Sequence, residues 1–180
     1  MTEKEFRHVV RSDNRAEEAF NYIFIVVSIA LGAYWLIKVD VQTAFSEMKL
    51  MKVVLRIAAV VLPVVFSITI LRSLSLNKKV INISSKLEKA AKLQVVDEYL
   101  ETKKECTEFE VSDKRVNAYT YYTKFGIPVY LYVHLHEDFL LFCIRRKDNF
   151  SFREIFDMGA VSKSQKALKL YLETELKKNI

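Results

Sequence analysis

Two long apolar runs near the N-terminus constrain this chain more than anything else in it. The first is AFNYIFIVVSIALGAYWLI, Ala19 to Ile37, which carries no charge; the second is VVLRIAAVVLPVVFSITIL, Val53 to Leu71, whose single charge is Arg56. A helix of such length spans about 28 Å, close to the hydrocarbon core of a bilayer. Neither run leaves a polar stripe for water, as the buried helix of a soluble domain normally does. The leader before the first run is long and mixed in charge, with no small-residue cleavage site after the run, so a cleaved signal peptide is disfavoured. The expectation is a two-helix transmembrane hairpin, with spans at about 19–38 and 53–72.

Charge then separates the chain into two parts. Through Leu71 there are eight Lys/Arg and seven Asp/Glu; after it there are twenty against fifteen, so the C-terminal part carries most of the +6 total. Lys4, Arg7, Arg11 and Arg15 precede the first run, and Arg72, Lys78, Lys79, Lys86 and Lys89 follow the second, whereas the connecting loop holds only three lysines. The positive-inside rule therefore places both termini of this multi-pass protein in the cytoplasm. Cys106 and Cys143 read as free thiols in a reducing compartment.

Inside the runs, Arg56 lies about one turn from an end, where it either snorkels or lines an oligomeric pore. Pro63 lies mid-span and removes a backbone hydrogen bond, so it marks a kink or gating point. Gly32, beside Ala33, offers a small patch for close helix approach. Neither run contains an acid, which argues against an ordinary proton or cation carrier.

Residues 75–180 read as one small α+β cytosolic domain with an antiparallel sheet, and residues 1–74 as the N-terminal segment with the two spans. Ser84 or Ser85 caps a helix over KLEKAAKLQVVDEYLETKK, with Glu88 completing a capping box. Strands follow in TEFEV, VNAYTYYT, PVYLYVHL and FLLFCIRR, and a final helix capped by Ser162 or Ser164 carries Leu168, Leu172 and Leu176. The three or four strands are expected to be covered on one side.

The last two strands form a hairpin about Glu137 and Asp138. Alternation puts Val129, Leu131, Val133 and Leu135 opposite Arg146, Ile144, Phe142 and Leu140 on an apolar face. Tyr130, Tyr132, His134 and His136 then oppose Arg145, Cys143, Leu141 and Phe139 on the other. Three readings fit that second face. His134, His136 and Cys143 are plausible zinc ligands, although a fourth ligand and the usual spacings are missing, so no metal is assigned. Alternatively, the rings of Tyr130 and Tyr132 stack bases while Arg145, Arg146, Lys147, Lys124 and Arg115 hold phosphates. The third reading is a second small core or subunit contact. The candidate ligand-binding residues follow the second reading and include His134 and His136.

No Gly-rich phosphate loop, GxSxG motif or paired-carboxylate cluster is present, so a non-enzyme without cofactor is expected. The layout, with spans at Ala19–Ile37 and Val53–Leu71 ahead of a basic α+β domain, resembles the two-span membrane effectors of type III CRISPR antiviral defence that bind cyclic oligoadenylate. What that resemblance implies is a homo-oligomer, with a tetramer favoured, whose cytosolic domains gather cyclic tetraadenylate, with no DNA partner, and whose spans then perturb the lipid bilayer. A four-fold ligand suits four equal basic faces about one axis. The alternative class is a membrane-anchored protein-binding or toxin-immunity protein without channel activity; a scaffold holding anionic lipid is a third.

Overall fold

The computed structural model describes residues 1–38, 50–124, 126–147 and 159–178. The chain divides into two compact units, Met1–Arg15 with Ser75–Ile180 and Ala16–Leu74. The first fifteen residues thus group with the C-terminal unit and not with the two apolar helices that follow them.

Helices α1 (Glu3–Asp13), α2 (Arg15–Lys38) and α3 (Leu50–Asn77) come first. Strand β1 (Ile81–Ser84), helix α4 (Lys89–Glu101), strands β2 (Lys104–Phe109), β3 (Asn117–Tyr122), β4 (Pro128–Leu135) and β5 (Phe139–Arg146), and helix α5 (Ala160–Lys178) follow. The five strands make one antiparallel sheet in the order β1-β5-β4-β3-β2. This confirms an α+β fold with an antiparallel sheet, one strand larger than expected.

Position in the sheet explains the composition of each strand. β5 lies between β1 and β4, and it is buried from Leu140 to Arg146, which suits its nearly unbroken apolar run. β2 is an edge, and it carries Lys104, Glu105 and Glu108 outward together with a bulge, features that discourage pairing with another chain. β1 is the opposite edge and only four residues long, with Ile81 and Ile83 turned inward. Ser84 pairs with Phe139 in β1, and Ser85 Oγ accepts from Leu87 N at 3.3 Å. The expected Ser85–Glu88 capping box is accordingly not formed, because the free edge of β5 recruits these residues and α4 starts only at Lys89. Ser162 and Ser164 likewise lie inside α5, not at its cap.

Helices α4 and α5 cover one face of the sheet. Val95, Val96, Tyr99 and Leu100 from α4, and Val161, Leu168, Leu172 and Leu176 from α5, meet Tyr119, Tyr121, Val129, Leu131, Val133 and Phe142. The spacing on both helices repeats at three and four residues, as one buried face requires. The other face is not open, as a one-sided layer would leave it. Phe6 and Val10 of α1 pack there against Val116, Ala118, Tyr132, Leu141 and Cys143. Cys106 and Cys143 are free thiols on opposite faces of the sheet.

In the other unit, α2 and α3 run through the two apolar segments. Many large apolar side chains there are exposed, including Ile23, Val26, Ile57 and Ile68, each more than half so. A Cβ added to Gly32 would lie 3.6 Å from Pro63 Cβ, so the small residue and the in-helix proline mark a close approach of the two helices. Arg56 lies in α3, with its side chain outside the described residues. Among the described residues no single helix is long and apolar enough to cross a membrane; Glu3–Asp13 with Glu18–Tyr34 reaches that measure only as a bent pair. Within that pair, the Phe6 and Val10 side chains are already taken up by the sheet.

Candidate functional site: the tyrosine face and its helical cover

The hairpin register is the expected one: Tyr130 opposes Arg145, Tyr132 opposes Cys143 and His134 opposes Leu141. A tight connection at Glu137 and Asp138 sets it, with His136 N donating to Phe139 O at 2.9 Å. From beneath, the buried Lys92 ammonium donates to the carbonyls of His136 and Glu137, both at 2.6 Å. Burial lowers the Lys92 pKa, partly offset by Asp138 and Glu137.

Helix α1 closes this face. Its start is fixed by a capping box in which Thr2 Oγ1 accepts from Glu5 N and Glu5 Oε2 accepts from Thr2 N at 2.7 Å. One turn apart on its inner side, Phe6 and Val10 reach the sheet. At its end the contacts are polar. The Tyr132 hydroxyl donates to Asp13 Oδ2 at 2.8 Å and accepts from Asn14 Nδ2 at 2.9 Å, while Asn14 Nδ2 also donates to Val10 O. Arg145 donates through one terminal nitrogen to the same Val10 carbonyl at 3.3 Å. A guanidinium is thus held against the carbonyl end of a helix, where positive charge is favoured. Tyr132 is fully buried, and that burial raises its pKa, so it remains a neutral donor.

His134 is buried beside these groups, and its Nδ1 faces the Arg115 carbonyl at 2.8 Å. A carbonyl can only accept, so the ring carries its proton on Nδ1. Burial holds the His134 pKa below its ordinary value, and the imidazole is neutral at neutral pH. Cys143 is equally enclosed; burial pushes its thiol up to about 12, so it is not a thiolate. Among the described residues no group of three metal-ligating side chains occurs.

The remaining candidates are dispersed. Lys147 is half-buried, with Nζ 5.7 Å from the centre of the Tyr130 ring, which also packs on Phe109. His136 is only partly covered; its ring stacks on Phe139 at 4.3 Å. Arg115 lies in the β2–β3 loop with a two-toothed grip on Asp113, and this pair holds the Asp113 carboxyl at about 2. Arg146 is buried on the opposite face, opposed to Val129, because it is one residue out of phase with Arg145. Lys124 lies exposed in the β3–β4 turn. The structure therefore gathers Tyr130, Tyr132, His134, Arg145 and Lys147, with the Arg115 backbone against His134 and its guanidinium on Asp113, while Arg146 lies on the opposite face and Lys124 in the β3–β4 turn. As an open basic surface this face does not exist in the α1-docked state.

Four residues absent from the expected site complete it: Phe6, Val10, Asp13 and Asn14. Their signals are present in the sequence as the T-x-x-E capping box and the one-turn spacing of Phe6 and Val10. No protein-family model, curated protein or solved structure matches this chain.

Proposed function

We propose that the chain is a membrane-embedded antiviral effector that senses a cyclic oligoadenylate, with cyclic tetraadenylate favoured, through its basic α+β unit. On this reading α2 and α3 are the spans of a homo-oligomer in the inner membrane, with both termini cytoplasmic. Their exposed apolar side chains support this assignment, because such surface is not stable against water over two helices.

The observation that carries the proposal is the double attachment of α1. It is docked on the Tyr132–Arg145 face, and after Asn14 the chain continues directly into α2. Any event that lifts α1 from the sheet therefore acts on the chain entering the first apolar helix. A phosphate-rich ligand is suited to that role. It offers Arg145 and Tyr132 the negative charge and acceptors that the Val10 carbonyl and Asp13 carboxylate supply at rest.

Magnitudes allow it. Burying Phe6 and Val10 stabilises docking by about 1.5–3 kcal/mol each, before backbone ordering is subtracted. Inverting a 1:99 equilibrium takes roughly 5.5 kcal/mol of differential affinity. A ligand of micromolar affinity brings about 8 kcal/mol in all, so it can supply that difference.

The test is dye release from vesicles holding the full chain. Cyclic tetraadenylate should cause leakage, and Phe6→Ala, which loosens α1, should leak without ligand while far-UV circular dichroism stays unchanged. Intact vesicles in both cases would contradict the proposal and favour an anchored binding protein without channel activity.

A further inference from the structure

Helices α4 and α5 lie side by side on one face of the sheet, and their neighbouring ends carry opposite charge. From Leu93 to its end at Glu101, α4 holds Asp97, Glu98 and Glu101, all exposed, and no base. Helix α5 begins without an acid, and Lys163, Lys166 and Lys169 are exposed along its first half. Beside them Leu170 is 68% exposed. No other large aliphatic side chain of this unit is exposed among the described residues.

The charges are not placed for the benefit of their own helix. Carboxylates at the carbonyl end of a helix oppose its dipole. Glu98 and Glu101 nevertheless stand in the last turn of α4, where no base accompanies them. Nor are they neutralised across the layer: neither the three α4 carboxylates nor Lys166 enters an ion pair among the described residues. Tyr99 packs against Tyr171 at 5.3 Å, and Lys103 and Lys163 line one small cavity, so the two helices run antiparallel. Glu101, midway between Tyr99 and Lys103, is therefore level with Lys166 and Ala167, midway between Tyr171 and Lys163.

We infer that the outer surface of α4 and α5 is an interface with a second copy of this chain, joining the acidic end of α4 to the basic start of α5 around Leu170. A two-fold axis parallel to the helices, above their outer surface, lays α4 of each copy on α5 of the other and keeps every residue at its own level. Glu101 of each copy then meets Lys166 of the other. Glu98 and Glu101 also come beside the amide half of a partner helix, the end at which carboxylates are favoured. A wholly acidic or wholly basic partner would match one helix and repel the other. The interface gives the proposed homo-oligomer a contact surface, yet needs neither its ligand nor its spans.

The experiment mixes two full-chain variants, Glu101→Lys and Lys166→Glu, in phosphatidylcholine vesicles, with a carbodiimide to couple carboxylates to amines in contact. Neither variant has both an acid and a lysine at these two positions. Any amide joining position 101 to position 166 therefore joins two chains. The mixture should give such links. Leu170→Ser, introduced into both variants, should lower their yield about tenfold below saturation, the scale of one leucine side chain withdrawn from water. Because that side chain is already exposed, the melting temperature should stay unchanged. Links undiminished by Leu170→Ser are what crowding by the spans alone would produce, and they would overturn the interface. So would a mixture without links. If Lys166 of the unaltered chain is then protected from an amine reagent only when phosphatidylglycerol is present, the surface belongs to lipid instead. No cyclic oligoadenylate is added, so failure of the proposed function leaves this result standing.

Discussion

The Tyr132 hydroxyl donates to the Asp13 carboxylate at 2.8 Å, joining the centre of the sheet to the last turn of a helix 119 positions earlier in the chain. Because Asn14 donates to the same hydroxyl, one buried oxygen orders both residues at which α1 ends. Tyr132→Phe should destabilise this unit by about 1–2 kcal/mol, the usual range when buried partners lose a hydrogen bond. Limited proteolysis should then cut near Asp13 faster than in the unaltered protein, while the α5 region keeps its resistance.

Lys92 anchors the hairpin from the other face. Its ammonium is fully buried and serves two carbonyls at 2.6 Å, so Lys92→Met leaves both oxygens without their donor. A loss of about 2–4 kcal/mol is expected in urea unfolding, from two charged hydrogen bonds that do not add fully. The unfolding slope should not change.

The hairpin was the most legible part of the sequence. PVYLYVHL and FLLFCIRR match β4 and β5 residue for residue, because apolar alternation and a two-residue connection leave only one register that buries Val129, Leu131 and Val133 together. What that pattern could not reveal is the cover. Phe6 and Val10 are two apolar residues among charged ones, and beside a membrane-length run they read as part of a leader of mixed charge. Burial of Arg145 was equally hidden, since its acceptor is a carbonyl 135 positions away. β1 was missed for a different reason: INIS is four residues long, and only the free edge of β5 makes it a strand.

His134 makes the fold acid-sensitive. Desolvation is the main cause of its lowered pKa, assisted by the N-terminal amine, His136 and Arg115, and opposed by the hydrogen bond to the Arg115 carbonyl. In the unfolded chain it takes up a proton near 6.5; the folded protein resists until lower pH. Stability is therefore fully present above pH 6.5 and is lost as pH falls through the lowered folded value. Melting temperatures across this range should show the decline, and His134→Gln should flatten it. The Asp113 loss lies in a separate, more acidic window, between its ordinary 3.8 and about 2.

Glu105 adopts a φ of 52° at the bulge that interrupts β2. A left-handed backbone costs a side-chain-bearing residue roughly 1–2 kcal/mol, and glycine avoids that at a somewhat smaller entropic penalty. Glu105→Gly should stabilise the fold by up to about 1 kcal/mol, with the edge charge reduced. Thermal unfolding checks the sign.

The central claim is that ligand binding lifts α1 from the tyrosine face. Hydrogen–deuterium exchange of the full chain in nanodiscs tests it most directly, read on the amides of residues 3–13 with and without cyclic tetraadenylate. The account predicts faster exchange there when ligand is present, with the amides of α5 unchanged. Unchanged or slower exchange across residues 3–13 at saturating ligand would contradict it.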